Sequence, residues 1–472
     1  MGTPTSGDGC DDGKGSDPSS TTRPGGSRDV GVAGVAESPD NPSTGCSMGQ
    51  SAGGFHPTPA VANIFLVGHY CWNMVSSVSG SDPLRLDDAG RRRRRADLLS
   101  EMVAVNSVNP LQAGPRSGPG GEADLAHLVA EHCRGLGAEV TLDEAAPGRP
   151  NVYCRFDGST DRTVAIDVHL DTVGIEHMTD DPFDGRQADG RVYGRGSVDT
   201  KATLAVVIEM LESLTDLKRG LRPTLLLVGT VGEETGGFPG AQAFERWLNT
   251  LDRVPDQVVV AEPTLCAPVH GHKGVLGLEI VIRGQAAHSS KPELGANAIN
   301  AAGRVIAALE REHERLVSAP PATEVGTGTL SVTEISGGTA RNIIPDRCVV
   351  FAGRRVAPGE DTEIMFDELQ ALVEAAAAPL QVEVAKSDGV LWPGFYQSPD
   401  SEIVHQLTRH SGCPPSVATY GTNALAYTGL DTELVVFGPG SIDQAHKAIE
   451  WIDIDEMDRC AEVYQSWLSE PA

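Results

Sequence analysis

Two rhythms of apolar and polar residues run through this chain. From Asp97, the residues Leu98, Leu99, Met102, Val103 and Val105 recur at the spacing of one helical face. A Pro/Gly-rich loop, NPLQAGPRSGPGG, follows, and then a second amphipathic helix, EADLAHLVAEHCRGLG, which ends in glycine as helices often do. Continuous apolar runs of strand length come next: NVYCRF, TVAIDVHL, TLLLVGTV and QVVVAE. Helical stretches, TKATLAVVIEMLESL and AQAFERWLNTL, lie between the later runs. Such alternation predicts an α/β fold: a mostly parallel sheet with helices on both faces, because crossovers between parallel strands carry helices back over the sheet.

From about Val275 the order of elements changes. VLGLEIVIRG reads as a strand, ELGANAINAAGRVIAALEREHERL as a long helix, and TGTLSVTEISGG and DRCVVFAGRRV as two more strands. EDTEIMFDELQALVEAAA is helical, and PLQVEVAK is a last strand. The order β-α-β-β-α-β predicts an α+β module of the ferredoxin-like split arrangement. SEIVHQLTRHSG and ELVVFGPG then return to the α/β pattern. Residues 91–273 and 389–472 are therefore expected to form one domain, with residues 274–388 inserted into it.

Composition narrows the partners. Lys+Arg 37 against Asp+Glu 65 gives a net charge of −28, a field that repels phosphate backbones and disfavours nucleic acid. The nine cysteines are odd in number and form no C-x-x-C pair, which disfavours a disulfide framework and points to a reducing, cytoplasmic setting. No apolar run reaches the length of a membrane span; the nearest, Ala60–Val75, is broken by Asn63, His69 and Asn73. Residues 1–90 begin with a tract rich in Gly, Ser, Pro, Thr and Asp, a composition expected to stay disordered. The basic run Arg91–Arg95 is expected to be a solvated helix start or linker.

The chemistry gathers where apolar runs end. His169 and Asp171 close TVAIDVHLD, Glu233 and Glu234 follow TLLLVGTVG, and Glu262 follows QVVVA. Asp199 lies in a glycine-rich turn before a helix, and His446 follows GPGSIDQA. Open α/β sheets bind ligands beyond the carboxyl ends of their strands, and a pocket of imidazoles and carboxylates there suits zinc or a similar divalent ion. A His beside a carboxylate is a common metal-site arrangement, and one of two adjacent glutamates can ligate while the other carries a proton.

The series HLDTV, GRGSVDTK, GEE, AEPT, QAAHSS, GGTARNIIPD and GPGSIDQAHK resembles the M20 family of metallopeptidases and deacylases, from about Asp97 to the C-terminus. The resemblance implies two Zn2+ ions, with Co2+ or Mn2+ as substitutes, bridged by Asp199. His169 and Glu262 would complete one site, and Glu234 and His446 the other. Asp171 would orient His169, Glu233 would act as general base, and a cis peptide would follow Asp199. His288 would supply a donor to the oxyanion, in dimeric members across the dimer from the inserted lid and dimerisation domain. Arg341 and Asn342 would meet the substrate's carboxylate, and Gly438 and Gly440 would let the backbone approach the ligand.

AEPT, HKG and GPGSIDQAHK resemble the acetylornithine deacetylase and succinyl-diaminopimelate desuccinylase branch. The expectation is a homodimeric amidohydrolase acting on a small N-acyl amino acid or dipeptide, with neither nucleic acid nor membrane as partner. The alternatives are an aminoacylase or a dipeptidase or carboxypeptidase of the same family, or a catalytically silent binding module. Two motifs depart from many relatives: Gly353-Arg354-Arg355 in place of Asp-x-Arg, and Gly421-Thr422-Asn423 in place of Gly-Thr-Asp. Both are expected to bear on substrate preference.

Overall fold

A computed structural model describes residues 89–216 and 220–469. The composition-biased start of the chain and the apolar stretch Ala60–Val75 lie outside the described residues. The principal strands are β1 (Glu139–Ala146), β2 (Arg149–Phe156), β3 (Thr163–His169), β4 (Thr224–Thr230), β5 (Gln257–Val260), β6 (Val269–His272), β7 (Gly274–Arg283), β8 (Thr329–Gly337), β9 (Arg347–Val356), β10 (Gln381–Trp392), β11 (Phe395–Tyr396), β12 (Ser416–Ala418) and β13 (Glu433–Val436). The helices are α1 (Ala89–Ala104), α2 (Ala123–Gly135), α3 (Lys201–Asp216), α4 (Pro239–Leu248), α5 (Ala298–Ser318), α6 (Thr362–Ala377), α7 (Glu402–Ser411), α8 (Ala424–Tyr427) and α9 (Ile454–Ser469).

The large sheet has nine strands in the order β1-β2-β4-β3-β5-β13-β6-β11, with β12 pairing β6. Its centre, β4-β3-β5-β13, is parallel, while the flanking pairs β1-β2, β2-β4, β13-β6 and β6-β11 are antiparallel. The apolar runs are continuous because both faces are covered. Along β3, Val164, Ile166 and Val168 join the core beneath α1, α2, α3, α7 and α9, while Ala165 joins the opposite core beneath α4 and α8. Strand β4 divides the same way, with Leu225 and Leu227 on one side and Leu226 and Val228 on the other.

The inserted sheet obeys the other rhythm. Its order is β8-β9-β7-β10, antiparallel throughout, which is the split arrangement expected from the sequence. Leu276, Leu278, Ile280 and Ile282 of β7 face α5 and α6, and the intervening positions are only partly covered. The last strand, β10, continues to Trp392, whose indole Nε1 donates to the carbonyl of Gly236 at 3.1 Å.

The basic run lies at a helix start, as expected, but much of it is paired rather than solvated. Helix α1 begins at Ala89, so Arg91–Arg95 lie within it, and the partners of Arg91, Arg92, Arg94 and Arg95 come from α3 and α9. Arg95 is buried and bonds Glu209 at 2.8 Å as well as Asp458; Arg92 pairs with Asp455 and Asp458, and Arg94 holds Glu212 with two bonds of 2.7 and 2.9 Å. The run is an ion-pair clamp between helices, invisible locally because its acidic partners are distant in sequence. Strands β1 and β6 carry no strong apolar pattern, whereas helix α9, also absent from the elements expected above, places Ile454, Met457, Cys460, Ala461, Tyr464 and Leu468 on one face. Strand β1 is half-exposed, and β6 is VHGH. Among the described residues no helix is long and apolar enough to cross a membrane.

Candidate metal centre

Strand register explains why distant residues converge. His169 pairs with Thr230 and Asp167 with Val260, so the chain leaving β3, β4 and β5 emerges at one edge of the sheet. Those exits carry His169 with Asp171, Glu233 with Glu234, and Glu262. Asp199 comes from the turn before α3, and its peptide bond to Thr200 is cis. His446 lies after β13 in a left-handed conformation, φ 61°.

The His169 ring Nδ1 lies 2.9 Å from the backbone carbonyl of Asp171, a hydrogen bond that places the ring proton on Nδ1. Its Nε2 faces Asp199 Oδ1 at 3.1 Å, where it donates when the ring is protonated and offers a lone pair to a cation when the ring is neutral. His446 Nε2 lies 3.2 Å from Asp199 Oδ2 and 3.1 Å from Glu234 Oε2. Ligand atoms of His169, Asp199 and Glu234 lie within 4.8 Å of one another, as do those of His169, Glu233 and Glu262. Opposed lone pairs at these distances need a cation or proton between them, and a divalent ion with nitrogen and oxygen ligands fits this donor set.

The electrostatics agree. Burial pushes Glu233 and Glu262 well above the ordinary carboxylate range, and neighbouring carboxylates add to it; Glu234 is raised for the same reasons. Burial alone would raise Asp199 too, but its hydrogen bonds to His169 and His446 outweigh that and hold it low. Hydrogen bonds to Asp199 and Glu234 push His446 up to about 10.

Asp171 has a wider part than expected. It is fully buried, and its carboxylate lies 3.7 Å from His169 Nδ1, so the closest contact to that ring is its backbone carbonyl. The carboxylate instead accepts from Asn109 Nδ2 at 2.8 Å and from the backbone N–H groups of Gly232, Glu233 and Glu234 at 2.9, 3.0 and 3.1 Å. One side chain thus shapes the turn that presents both glutamates. Gln112 supports the same turn by donating to the Glu234 carbonyl at 2.9 Å.

A supporting layer surrounds the candidate ligands: Arg195 and Lys201 lie within GRGSVDTK beside Asp199, and Glu450 lies outside every motif. Glu450 accepts from the backbone N–H groups of Val198 and Asp199 at 3.2 and 3.4 Å, and it pairs with Arg195; both side chains are 1% exposed. Arg195 also donates to the carbonyls of Gly174 and Lys447 at 3.3 and 3.4 Å, tying together the three loops that carry Asp171, Asp199 and His446. Buried Lys201 donates to the carbonyls of Met102 and Val105 at 3.1 and 2.9 Å, joining the Asp199 turn to the end of α1.

The remaining sequence candidates sit elsewhere. His288 lies in a short ribbon of the inserted module, paired with Ile343. The N–H of Ser289 donates to the Asn342 carbonyl at 2.9 Å, which brings Arg341 and Asn342 beside it. Ser290 N–H donates to His288 Nδ1 at 3.1 Å, leaving the neutral ring's proton on Nε2. All three residues are exposed, and no hydrogen bond or ion pair among the described residues ties them to the cluster. A Cβ on Gly438 would meet the Glu262 carbonyl oxygen at 2.7 Å, and one on Gly440 (φ +81°) would meet Val198 at 2.4 Å. These two glycines let the loop that leads to His446 pass close to the loops bearing Glu262 and Asp199.

The two departing motifs are structural in this chain. Asn423 is buried and donates to Asp167 Oδ2 at 3.1 Å and Thr230 Oγ1 at 2.9 Å, so it completes a polar cluster rather than lining a pocket. Arg354 is buried against Glu360 and the Arg355 carbonyl. Both side chains are thereby fixed in the packing of the fold.

Known proteins share this sequence and architecture. The sequence profile of Peptidase family M20/M25/M40 matches residues 165–470. An acetylornithine deacetylase of Myxococcus xanthus is 31% identical over 336 residues, covering 68% of this chain and 84% of that protein. The crystal structure of a tripeptidase from Staphylococcus aureus superposes with a TM-score of 0.66 at 22% identity, over 80% of this chain and 98% of that one. A dinuclear-metal-binding M20 peptidase of Bacillus subtilis gives 0.60 at 16% identity, over 81% of this chain and 98% of its own. The chain belongs to peptidase family M20/M25/M40 and is a metal-dependent hydrolase of amide or peptide bonds.

Proposed function

We propose that the chain removes an acyl group from an N-acyl amino acid, as a deacetylase or desuccinylase with two divalent ions, zinc by preference. The observation that carries this reading is a pair of adjoining groups that share His169: His169, Asp199 and Glu234, with the exposed His446 3.2 and 3.1 Å from Asp199 and Glu234, and His169, Glu233 and Glu262. Asp199, whose two oxygens face different histidines, would be shared between the ions. His169 and Glu262 would complete one site and Glu234 and His446 the other. The similarity to the deacetylase of Myxococcus xanthus and to the dinuclear-metal-binding peptidase of Bacillus subtilis supports this reading.

Two ions, when bound, lower the pKa of water and polarise a carbonyl. The protein's own groups do the rest. Glu233 takes a proton from the attacking water on its carboxylate and passes it to the departing amine nitrogen. Asp171 holds the Glu233 backbone N–H and so fixes where that carboxylate starts. His288 offers an Nε2–H to the developing oxyanion, reaching the site from the inserted module of a second copy in a homodimer. Arg341 and Asn342 sit beside His288 and receive the substrate's carboxylate, for which a guanidinium is geometrically suited.

The likeness to the tripeptidase of Staphylococcus aureus favours a second reading, cleavage of short peptides. A substrate panel separates the two. N-acetyl and N-succinyl amino acids and dipeptides are offered to the metal-loaded protein, and kcat/KM is compared. The deacylase reading predicts a preference of at least about tenfold for an N-acyl amino acid, a gap of about 1.4 kcal/mol in transition-state binding. Faster turnover of dipeptides would replace it with the peptidase reading, and no turnover of any member would remove both.

A further inference from the structure

The opposite end of the same sheet carries a feature that the hydrolytic reading does not use. A recess with about 550 Å³ of empty space, counting its open mouth, is lined by Arg162, Arg222, Arg409 and His410, and among the described residues no carboxylate lines it. That is unusual placement of charge for a chain of net charge −28. Val164, Pro223 and Trp467 form its apolar part, which keeps water away and strengthens any charge interaction inside. Arg162 precedes β3, whose far end is His169, and Arg222 precedes β4. A strand of seven residues spans about 20 Å, so the recess is far from the metal centre.

Two of the three guanidinium groups are available. Arg162 spends one bond on Glu402 at 2.9 Å. Arg222 and Arg409 make no side-chain hydrogen bond or ion pair among the described residues. The neutral wall supplies a second, independent sign. Gln257 is 1% exposed, and its Nε2 donates to Glu433 Oε2 at 2.9 Å, which fixes the amide's orientation. Its Oε1 is buried and has no partner among the described residues. A buried amide oxygen without a donor is costly, and one that lines a basic recess calls for a donor carried by whatever enters.

We propose that this recess is a binding site for a small oxyanion that carries its own O–H, such as hydrogen phosphate or a hydroxycarboxylate. The anionic oxygens meet Arg222 and Arg409, with Arg162 contributing its remaining donors, and the O–H donates to Gln257 Oε1. Arginine forks suit such oxygens, and the requirement for a donor distinguishes hydrogen phosphate from sulfate, which has none at neutral pH.

Isothermal titration of the metal-loaded protein with inorganic phosphate and with sulfate tests this directly. The expected result is saturable phosphate binding with a Kd on the order of 1 mM, and sulfate binding at least about threefold weaker. Glycolate should exceed acetate for the same reason, and a hydroxycarboxylate arm that binds while phosphate does not would assign the site to carboxylates. The double variant Arg222→Ala/Arg409→Ala should lose phosphate binding by at least about tenfold, the scale of two charge-assisted bonds. Both substitutions leave backbone bonds in place, and unchanged hydrolysis by the variant would show that it is folded. Phosphate binding that survives the double variant, or that substrate displaces, would place the anion at the metal centre and overturn the proposal. Absence of binding by every anion would overturn it too, and sulfate binding as tightly as phosphate would contradict the Gln257 contact.

Discussion

Asp167 and Asp199 are both buried carboxylates at the same end of the large sheet, and their surroundings are opposite. Asp167 is met only by donors: Thr230 Oγ1 and Tyr427 OH at 2.7 Å each, and Asn423 Nδ2 at 3.1 Å. Asp199 is met by two histidine nitrogens and stands among Glu233, Glu234 and Glu262. The first cluster is complete with neutral partners. The second is complete only with added positive charge. Burial of a carboxylate therefore does not mark a functional site; what faces it does.

The largest effect expected from breaking this contrast is on catalysis. Glu233→Gln should lower kcat by about 10²–10⁴-fold, the usual contribution of a positioned base, while bound metal stays unchanged. Steady-state kinetics with metal analysis on one preparation checks both halves.

Stability should respond in opposite directions at the two clusters. Asp167→Ala leaves three buried donors without an acceptor and should cost about 2–4 kcal/mol in urea unfolding. Glu262→Gln removes one of several crowded carboxylates and should stabilise the metal-free protein by about 1–2 kcal/mol, while the metal-supplied variant loses hydrolytic activity. Equal destabilisation by both changes would erase the distinction between them.

A smaller effect should follow in the supporting layer. Glu450→Gln weakens the pair with Arg195 and the hold on the Asp199 backbone, and should reduce metal affinity by about 10–100-fold. Competition with a chromogenic chelator measures it without reference to turnover.

The smallest effect separates a buried histidine away from the metal. His272, bonded to Thr422 Oγ1 at 3.0 Å, is pulled down to about 4 by burial. Its folded value lies below the unfolded one, so between the two the unfolded chain binds a proton that the folded chain refuses. Stability is lost as pH falls from the unfolded value toward 4 and levels off below it. Between pH 7 and 5.5 this amounts to about 1 kcal/mol. Urea midpoints of wild type and His272→Gln at the two pH values should differ by that amount, with the variant the flatter.

Legibility in the sequence follows physical range. His169, Glu233 and Glu262 are readable because each follows a continuous apolar run, and parallel strands that share a register end together. The antiparallel insertion is readable from its element order and the alternation along β7. What the sequence hides depends on partners far along the chain. Arg195 and Glu450 are 255 residues apart, and Asp167 and Asn423 are 256 apart. Nothing local distinguishes Asn423 as a buried partner of Asp167, or Arg95 as a clamp on α3 and α9. The motif suggests Asp171 as the residue that orients His169, but the bonds its carboxylate makes to the Glu233–Glu234 turn arise only when β3 and β4 lie side by side.

Under the proposed mechanism, five side chains hold two divalent ions needed for amide hydrolysis. Metal content per chain, measured by mass spectrometry alongside hydrolysis of an N-acetyl amino acid during chelation and stepwise zinc return, tests it most directly. The account predicts loss of activity on chelation and recovery that saturates at two ions per chain, with His446→Ala retaining fewer. Full activity in protein stripped of metal, or recovery complete well below one ion per chain, would contradict it.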